Sequence, residues 1–198
     1  MAQQVPLPNK LLFFTACLFI TASCSHSSKV ETIPLVYKNA DSAGWNEQGP
    51  LLYYNSVFFS GFQFRLYPDA DTVFLFAYLD GKKEGMQYEW YPGKKKKELR
   101  HFVNGWQEGE QSGWFENGRV KFIYHFKNDV YNGNVKEWTE NGTLYKDFNY
   151  ANGQESGKEL LLNPDGSIKA NYEVRNGKIY GNSGTKNCAS PWKKDSLQ

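Results

Sequence analysis

Glycine recurs at a fixed interval of 24 residues, at Gly61, Gly85, Gly109, Gly133, Gly157 and Gly181. Six points on one lattice define five complete units, covering 61–180. A period in this range marks a repeat architecture, in which a single unit cannot bury its own apolar face and relies on its neighbours.

Other positions follow the same lattice. Five residues after each glycine comes Leu66, Trp90, Trp114, Trp138 or Leu162. Fifteen after it comes Phe76, Arg100, Tyr124, Phe148 or Tyr172, and seventeen after it Tyr78, Phe102, Phe126, Tyr150 or Val174. Turn dipeptides punctuate each unit twice. The first set is Asn117-Gly118, Asn141-Gly142 and Asp165-Gly166, with Pro92-Gly93 one place early and Asp69-Ala70 lacking the glycine. The second is Asp80-Gly81, Asn104-Gly105, Asn152-Gly153 and Asn176-Gly177, with Asn128-Asp129 as the exception. Such pairs suit two-residue I′ turns, because both central residues there need positive φ.

Each unit therefore reads as strand, tight turn, longer strand, turn. Val120, Phe122, Tyr124 and Phe126 alternate with Lys121, Ile123, His125 and Lys127 along the longer strand, the pattern of a half-buried strand. The expected fold is all-β: an elongated array of antiparallel hairpin repeats forming one twisted sheet. Five units at about 10 Å each give a body roughly 50 Å long.

The first residues belong to a different grammar. Residues 1–10 carry one charge, Lys10, and the apolar run LLFFTACLFI follows, then TASC. This is the layout of a secretory signal, and the run is too short to span a bilayer. Ala22 and Ser23 before Cys24 resemble a bacterial lipobox, which implies removal of residues 1–23 and lipidation of Cys24. Thr21 stands where Leu is usual, and cleavage at a nearby site would instead give a secreted or periplasmic protein. The expected location is the bacterial cell envelope, anchored by lipid at the outer membrane.

Without that segment the formal balance is 22 basic against 21 acidic side chains, a net of +1, because only Lys10 is lost. That is no electrostatic footprint for nucleic acid. With Cys17 discarded and Cys24 lipidated, only Cys188 stays free, so no internal disulfide can form. Residues 24–43 read as a flexible tether, 44–181 as the repeat domain and 182–198 as a loose tail. Within 51–60, LLYYNSVFFS looks like the second half of a degraded unit that caps the array.

The pattern G-x-Q-x-x-W-[YF]-x-N-G-x-[VL]-K, followed by an aromatic and a second N-G, resembles the MORN-variant repeat. GMQYEWYPGKKKKELRHFVNG, GEQSGWFENGRVKFIYHFKND and GNVKEWTENGTLYKDFNYANG carry it most strongly, and it covers roughly 50–181. The chain is most similar to the bacterial YwqK-family antitoxins. The resemblance implies a surface for protein or membrane interaction. Its antitoxin label implies neutralisation of a partner toxin, which for an envelope lipoprotein becomes immunity to a toxin delivered from outside.

Catalytic constellations are weak. GEQSG at 109–113 lacks the strand-to-helix setting of a nucleophile elbow, and GQESGKE at 153–159 is one residue short of a phosphate-binding loop. His101 and His125 share a lattice position roughly 10 Å apart, too far for one metal. Glu89 and Glu137 recur as face carboxylates. The expectation is a non-enzymatic protein with no cofactor and no metal.

Three features are candidate surfaces. Lys94, Lys95, Lys96 and Lys97 form the one local charge concentration, either a contact for anionic headgroups or an acidic partner, or a solvated, lysine-protected edge. Trp90, Trp114 and Trp138 form a stripe, either a platform for a peptide or sugar or the repeat's core. Tyr67, Tyr91 and Phe115 point to the other face by alternation and, with the lysine turn, make the expected binding face.

Overall fold

A computed structural model describes residues 32–184. The stretch read as a signal segment, Cys24 and residues 185–198 lie outside the described residues. Among the described residues no helix is long and apolar enough to cross a membrane.

The chain opens with β1 (Tyr37–Asn39), β2 (Trp45–Gln48), β3 (Leu51–Tyr54) and β4 (Val57–Phe58). The first unit holds β5 (Gly61–Leu66), β6 (Thr72–Leu79) and the short β7 (Lys82–Lys83). The second holds β8 (Gly85–Tyr91), β9 (Lys95–Val103) and β10 (Trp106–Gln107). The third holds β11 (Gly109–Trp114) and β12 (Val120–Lys127), and β13 (Val130–Trp138) runs from its end into the fourth. Then come β14 (Leu144–Ala151), β15 (Gln154–Glu155), β16 (Gly157–Leu162), β17 (Ile168–Arg175) and β18 (Lys178–Asn182).

A 15-stranded sheet follows chain order from β5 to β18 with β1 added at its edge. Every pair in it is antiparallel except β1 with β5, which is parallel. The outer strands β1 and β18 do not meet, so the sheet stays open. The all-β hairpin array expected from the lattice is what forms. The lattice glycines are required by backbone geometry: all six have positive φ, from 70° at Gly85 to 143° at Gly61.

Three expectations are corrected. Residues 37–39, inside the stretch read as a tether, form β1, with Tyr37 against Phe62 and Asn39 against Phe64. The segment around 51–60 does not extend the main sheet. β2, β3 and β4 form a separate three-stranded sheet, because its Leu52 and Phe59 turn onto Tyr78 to make the best-buried apolar cluster.

The third correction concerns the turns. Only the second set is I′, with both residues at positive φ, as at Asn104 (53°) and Gly105 (86°). The first set are three-residue loops with a single left-handed residue, Gly118, Gly142 or Gly166, or Ala70 in the first unit, except in the second unit, where Gly93 and Lys94 both have positive φ. Gly118 donates to the Phe115 carbonyl at 2.9 Å and Phe115 donates to Arg119 at 2.8 Å. Beyond each of these loops the ladder slips: Trp114 faces Val120 while Gly113 faces Phe122. The same bulge recurs in every unit, at Arg65/Leu66, Glu89/Trp90, Glu137/Trp138 and Leu161/Leu162. An extra residue there bends the strand and adds twist, which a two-residue loop would not accommodate.

Between the second turn and the next strand the main-chain ladder is interrupted, and a buried side chain closes the gap. Gln87 accepts from Ala77 N–H at 3.0 Å and donates to the Ala77 carbonyl at 3.0 Å and the Glu84 carbonyl at 3.2 Å. Gln111 does the same with His101, at 2.9 and 3.0 Å, and with Glu108, at 3.1 Å. An amide side chain thus stands in for a peptide group that would otherwise be buried without a partner. In the fourth unit β13 runs unbroken past the joint, and the residue there is the fully buried Val135. In the fifth the residue is Glu159.

Candidate functional site

The expected binding face is largely occupied with joining units. Tyr67 donates its hydroxyl to the Trp90 carbonyl at 2.9 Å, and Tyr91 donates to the Trp114 carbonyl at 3.2 Å. Phe115 has no hydroxyl, and there Asn117 donates to Glu140 at 3.1 Å instead. The lysine run is spoken for. Lys94 reaches Asp71 at 3.6 Å, Lys95 reaches Glu116 at 3.8 Å and Lys97 reaches Glu89 at 2.9 Å. Lys96 lies 5.7 Å over the Trp114 ring. Trp90, Trp114 and Trp138 are half-buried on the sheet face opposite Phe76 and Tyr124.

The histidines are held by main chain. His101 Nδ1 meets the Glu108 carbonyl at 3.1 Å and His125 Nδ1 meets the Asn134 carbonyl at 2.9 Å. Among the described residues no three His, Cys, Asp or Glu side chains gather as a metal site. Glu137 accepts from Tyr145 and, at 2.9 Å, from Lys146. Burial works against its charge, yet these two hydrogen bonds hold its carboxyl below the ordinary range.

A concavity lies where the three-stranded sheet leans over the first two units. It has a volume of about 600 Å³, within the range of small-molecule sites. Phe74, Phe76 and Phe102 of the main sheet form one wall, and Trp45 and Leu51 of the smaller sheet face them. The charged residues lining it are Lys83, Arg65 and a single acid, Glu47. Arg65 is neutralised by Asp41 at 3.0 Å. Lys83 is different. Its ammonium sits 5.0 Å over the Phe76 ring and 5.2 Å over the Phe102 ring, and it makes no ion pair among the described residues. Burial first, then the nearby Arg100 charge, push its pKa down, and Glu89 and Glu47 only partly offset them. A second, smaller cavity shares Phe76, Lys83 and Phe102 with the cleft and adds Gln87, Glu89, Glu98 and Arg100.

Lys83 stands out against its own repeat. Twenty-two residues after the glycine, the other units place Gln107, Tyr131, Glu155 and Ile179. Gln107 donates to Asp129 at 3.2 Å, Tyr131 packs on Phe126 and Tyr150, and Glu155 accepts from Tyr172 at 2.8 Å. Of the five residues at this position only Lys83 carries a positive charge, and it lies over rings. That break in the lattice is the signal by which sequence reasoning, which passed over Lys83, could have found the site. The cleft itself was not legible, because Trp45 and Leu51 lie off the lattice.

One further buried group is unusual. Glu159 is fully buried, accepts from Asn149 N–H at 2.9 Å through Oε2, and leaves Oε1 without a hydrogen-bond partner. Burial raises its pKa to about 7, against the pull of the Asn149 N–H. In the Gln87 and Gln111 joints the equivalent side-chain end donates to carbonyls, which a carboxyl can do only when protonated.

No protein-family model matches the chain, and no curated protein matches it at a significant level.

Proposed function

We propose that this chain is a non-enzymatic binding and scaffold lipoprotein: a MORN-like repeat body held on a bacterial envelope membrane through lipidated Cys24, most simply the outer one, with the cleft over its first two units as recognition site. The observation that carries the recognition part is the aromatic cleft of about 600 Å³ with Lys83, which makes no ion pair among the described residues, in its wall. The membrane part rests on the signal-like segment and Cys24 in the sequence.

Two measurements test the two parts separately. Cys24→Ala should move the protein from the membrane fraction to the soluble envelope fraction. Crosslinking and capture from intact cells should retain one protein or small ligand with the parent chain, and lose it with Lys83→Glu. Membrane attachment that survives Cys24→Ala would remove the lipid anchor from the account. Capture that survives Lys83→Glu would remove the cleft.

The second reading, an antitoxin or immunity protein, differs only in what is captured. It stands on the sequence resemblance, and a captured partner that is toxic when expressed without this chain would select it.

A further inference from the structure

We infer that the cleft takes a carboxylate borne on an apolar or aromatic body, with Lys83 as the cation that receives it. This rests on the cleft being the recognition site, and it names the ligand's chemistry.

Two features point the same way. The walls are aromatic: Phe74, Phe76, Phe102 and Trp45 leave room for an apolar body to stack rather than for a hydrated ion. The polar demand is a single point. Lys83 has three donors, and among the described residues its ammonium lies over two rings and makes no hydrogen bond or ion pair. A ring stabilises an ammonium but accepts no strong hydrogen bond, so an incoming carboxylate oxygen gains a charge-assisted bond that nothing in the chain already supplies. Arg65 is matched by Asp41, so the unpaired charges on the lining are Lys83 and Glu47.

Glu47 sharpens the inference, because it sits on the small-sheet wall and opposes any anion. Its field is felt in the cleft: after burial, it is the second cause holding the Tyr78 hydroxyl in its neutral form. Removing its charge should therefore strengthen binding, which a generic apolar pocket would not show.

The carboxylate has two sources of equal chemistry, a free hydrophobic acid or the C-terminus of a peptide ending in an apolar residue. The test is calorimetric titration of the full chain in lipid nanodiscs, with empty discs as reference. The probes are 3-phenylpropionate, its alcohol 3-phenylpropan-1-ol, and the peptide acetyl-Gly-Gly-Phe as free acid and as C-terminal amide. At least one acid should bind about tenfold or more tightly than its neutral counterpart. Lys83→Gln should erase that preference, Lys83→Arg should keep it, and Glu47→Gln should tighten the acid several-fold. Binding of the small acid alone assigns a free ligand, and binding of the peptide acid assigns a chain terminus.

Equal binding of acid and alcohol would overturn the anion site and leave the cleft as recognition site. Discrimination that persists in a folded Lys83→Gln protein, checked by its unchanged melting temperature, would also overturn it. No binding by any of the four probes would remove the cleft and the inference together.

Discussion

The two ends of the array are built from one sequence unit and are held very differently. At the first joints each unit is tied to the next by three kinds of bond. Gly105 N–H reaches the Lys83 carbonyl at 2.9 Å, Glu84 accepts from Asn104 N–H at 2.6 Å, and Tyr67 donates across to Trp90. The smaller sheet adds the buried cluster of Leu52, Phe59 and Tyr78, exposed by 2%, 5% and 5%. At the last joint, among the described residues, neither Asn176 nor Gly177 reaches back in this way. The side chains there are open, with Ile168 at 58%, Ile179 at 55% and Tyr180 at 53%. The gap-closing residue also changes, from a glutamine that satisfies both halves of a peptide to Glu159, which satisfies one. In a repeat array stability is a sum over units and their interfaces. Identical topology therefore does not mean even stability, and the last unit should open first.

The most severe way to break this contrast is to spoil a strong joint. Gln111→Leu leaves the His101 N–H without a partner and takes one of two donors from each of the His101 and Glu108 carbonyls. It should cost about 3 kcal/mol in urea unfolding and lower protection across the second and third units. A loss under 1 kcal/mol would mean that water takes over the gap.

A milder change should convert the weak joint into a strong one. Burial raises the Glu159 carboxyl from 4.5 to about 7, so the folded unit holds its proton more tightly than the unfolded chain does. That stabilisation is fully present below pH 4.5 and is lost as the pH rises through 7. Glu159→Gln should therefore stabilise the last unit by about 2 kcal/mol at pH 8 and by almost nothing at pH 4. A pH-independent effect would contradict a protonated joint.

The smallest expected effect comes from a single rung. Tyr91→Phe removes the hydroxyl that reaches the Trp114 carbonyl and should cost about 1 kcal/mol. The same change at Tyr180, exposed by 53%, should cost nothing measurable in thermal melts.

Much of the strong end was written in the sequence, and the cleft beside it was not. The glycine lattice fixed the hairpin array, because each Gly sits where the backbone has positive φ. Dipeptides such as Asn104-Gly105 announced their I′ turns for the same reason. Asn117-Gly118 misled, because the loop is longer by one residue and only its glycine is left-handed. The glutamine in G-x-Q was visible as a pattern, but its task depends on the ladder breaking opposite Ala77 and His101, a long-range event. Tyr67 and Tyr91 were read as a binding face from alternation alone. Alternation cannot tell that a hydroxyl lands 23 residues along, on the next unit's Trp carbonyl. The cleft depends on Trp45 and Leu51 folding back over Phe76, which no periodicity encodes.

The graded array is tested most directly by residue-level native-state hydrogen exchange at pH 5.5 and pH 8, corrected for intrinsic rates, on the parent chain and on Glu159→Gln. The account predicts that the amides of β16, β17 and β18 open at lower free energy than those of β6, β8 and β9. It predicts that the difference widens at pH 8, and that in Glu159→Gln this widening disappears. Uniform protection along the sheet, or an end-to-end difference that ignores both pH and the substitution, would contradict it.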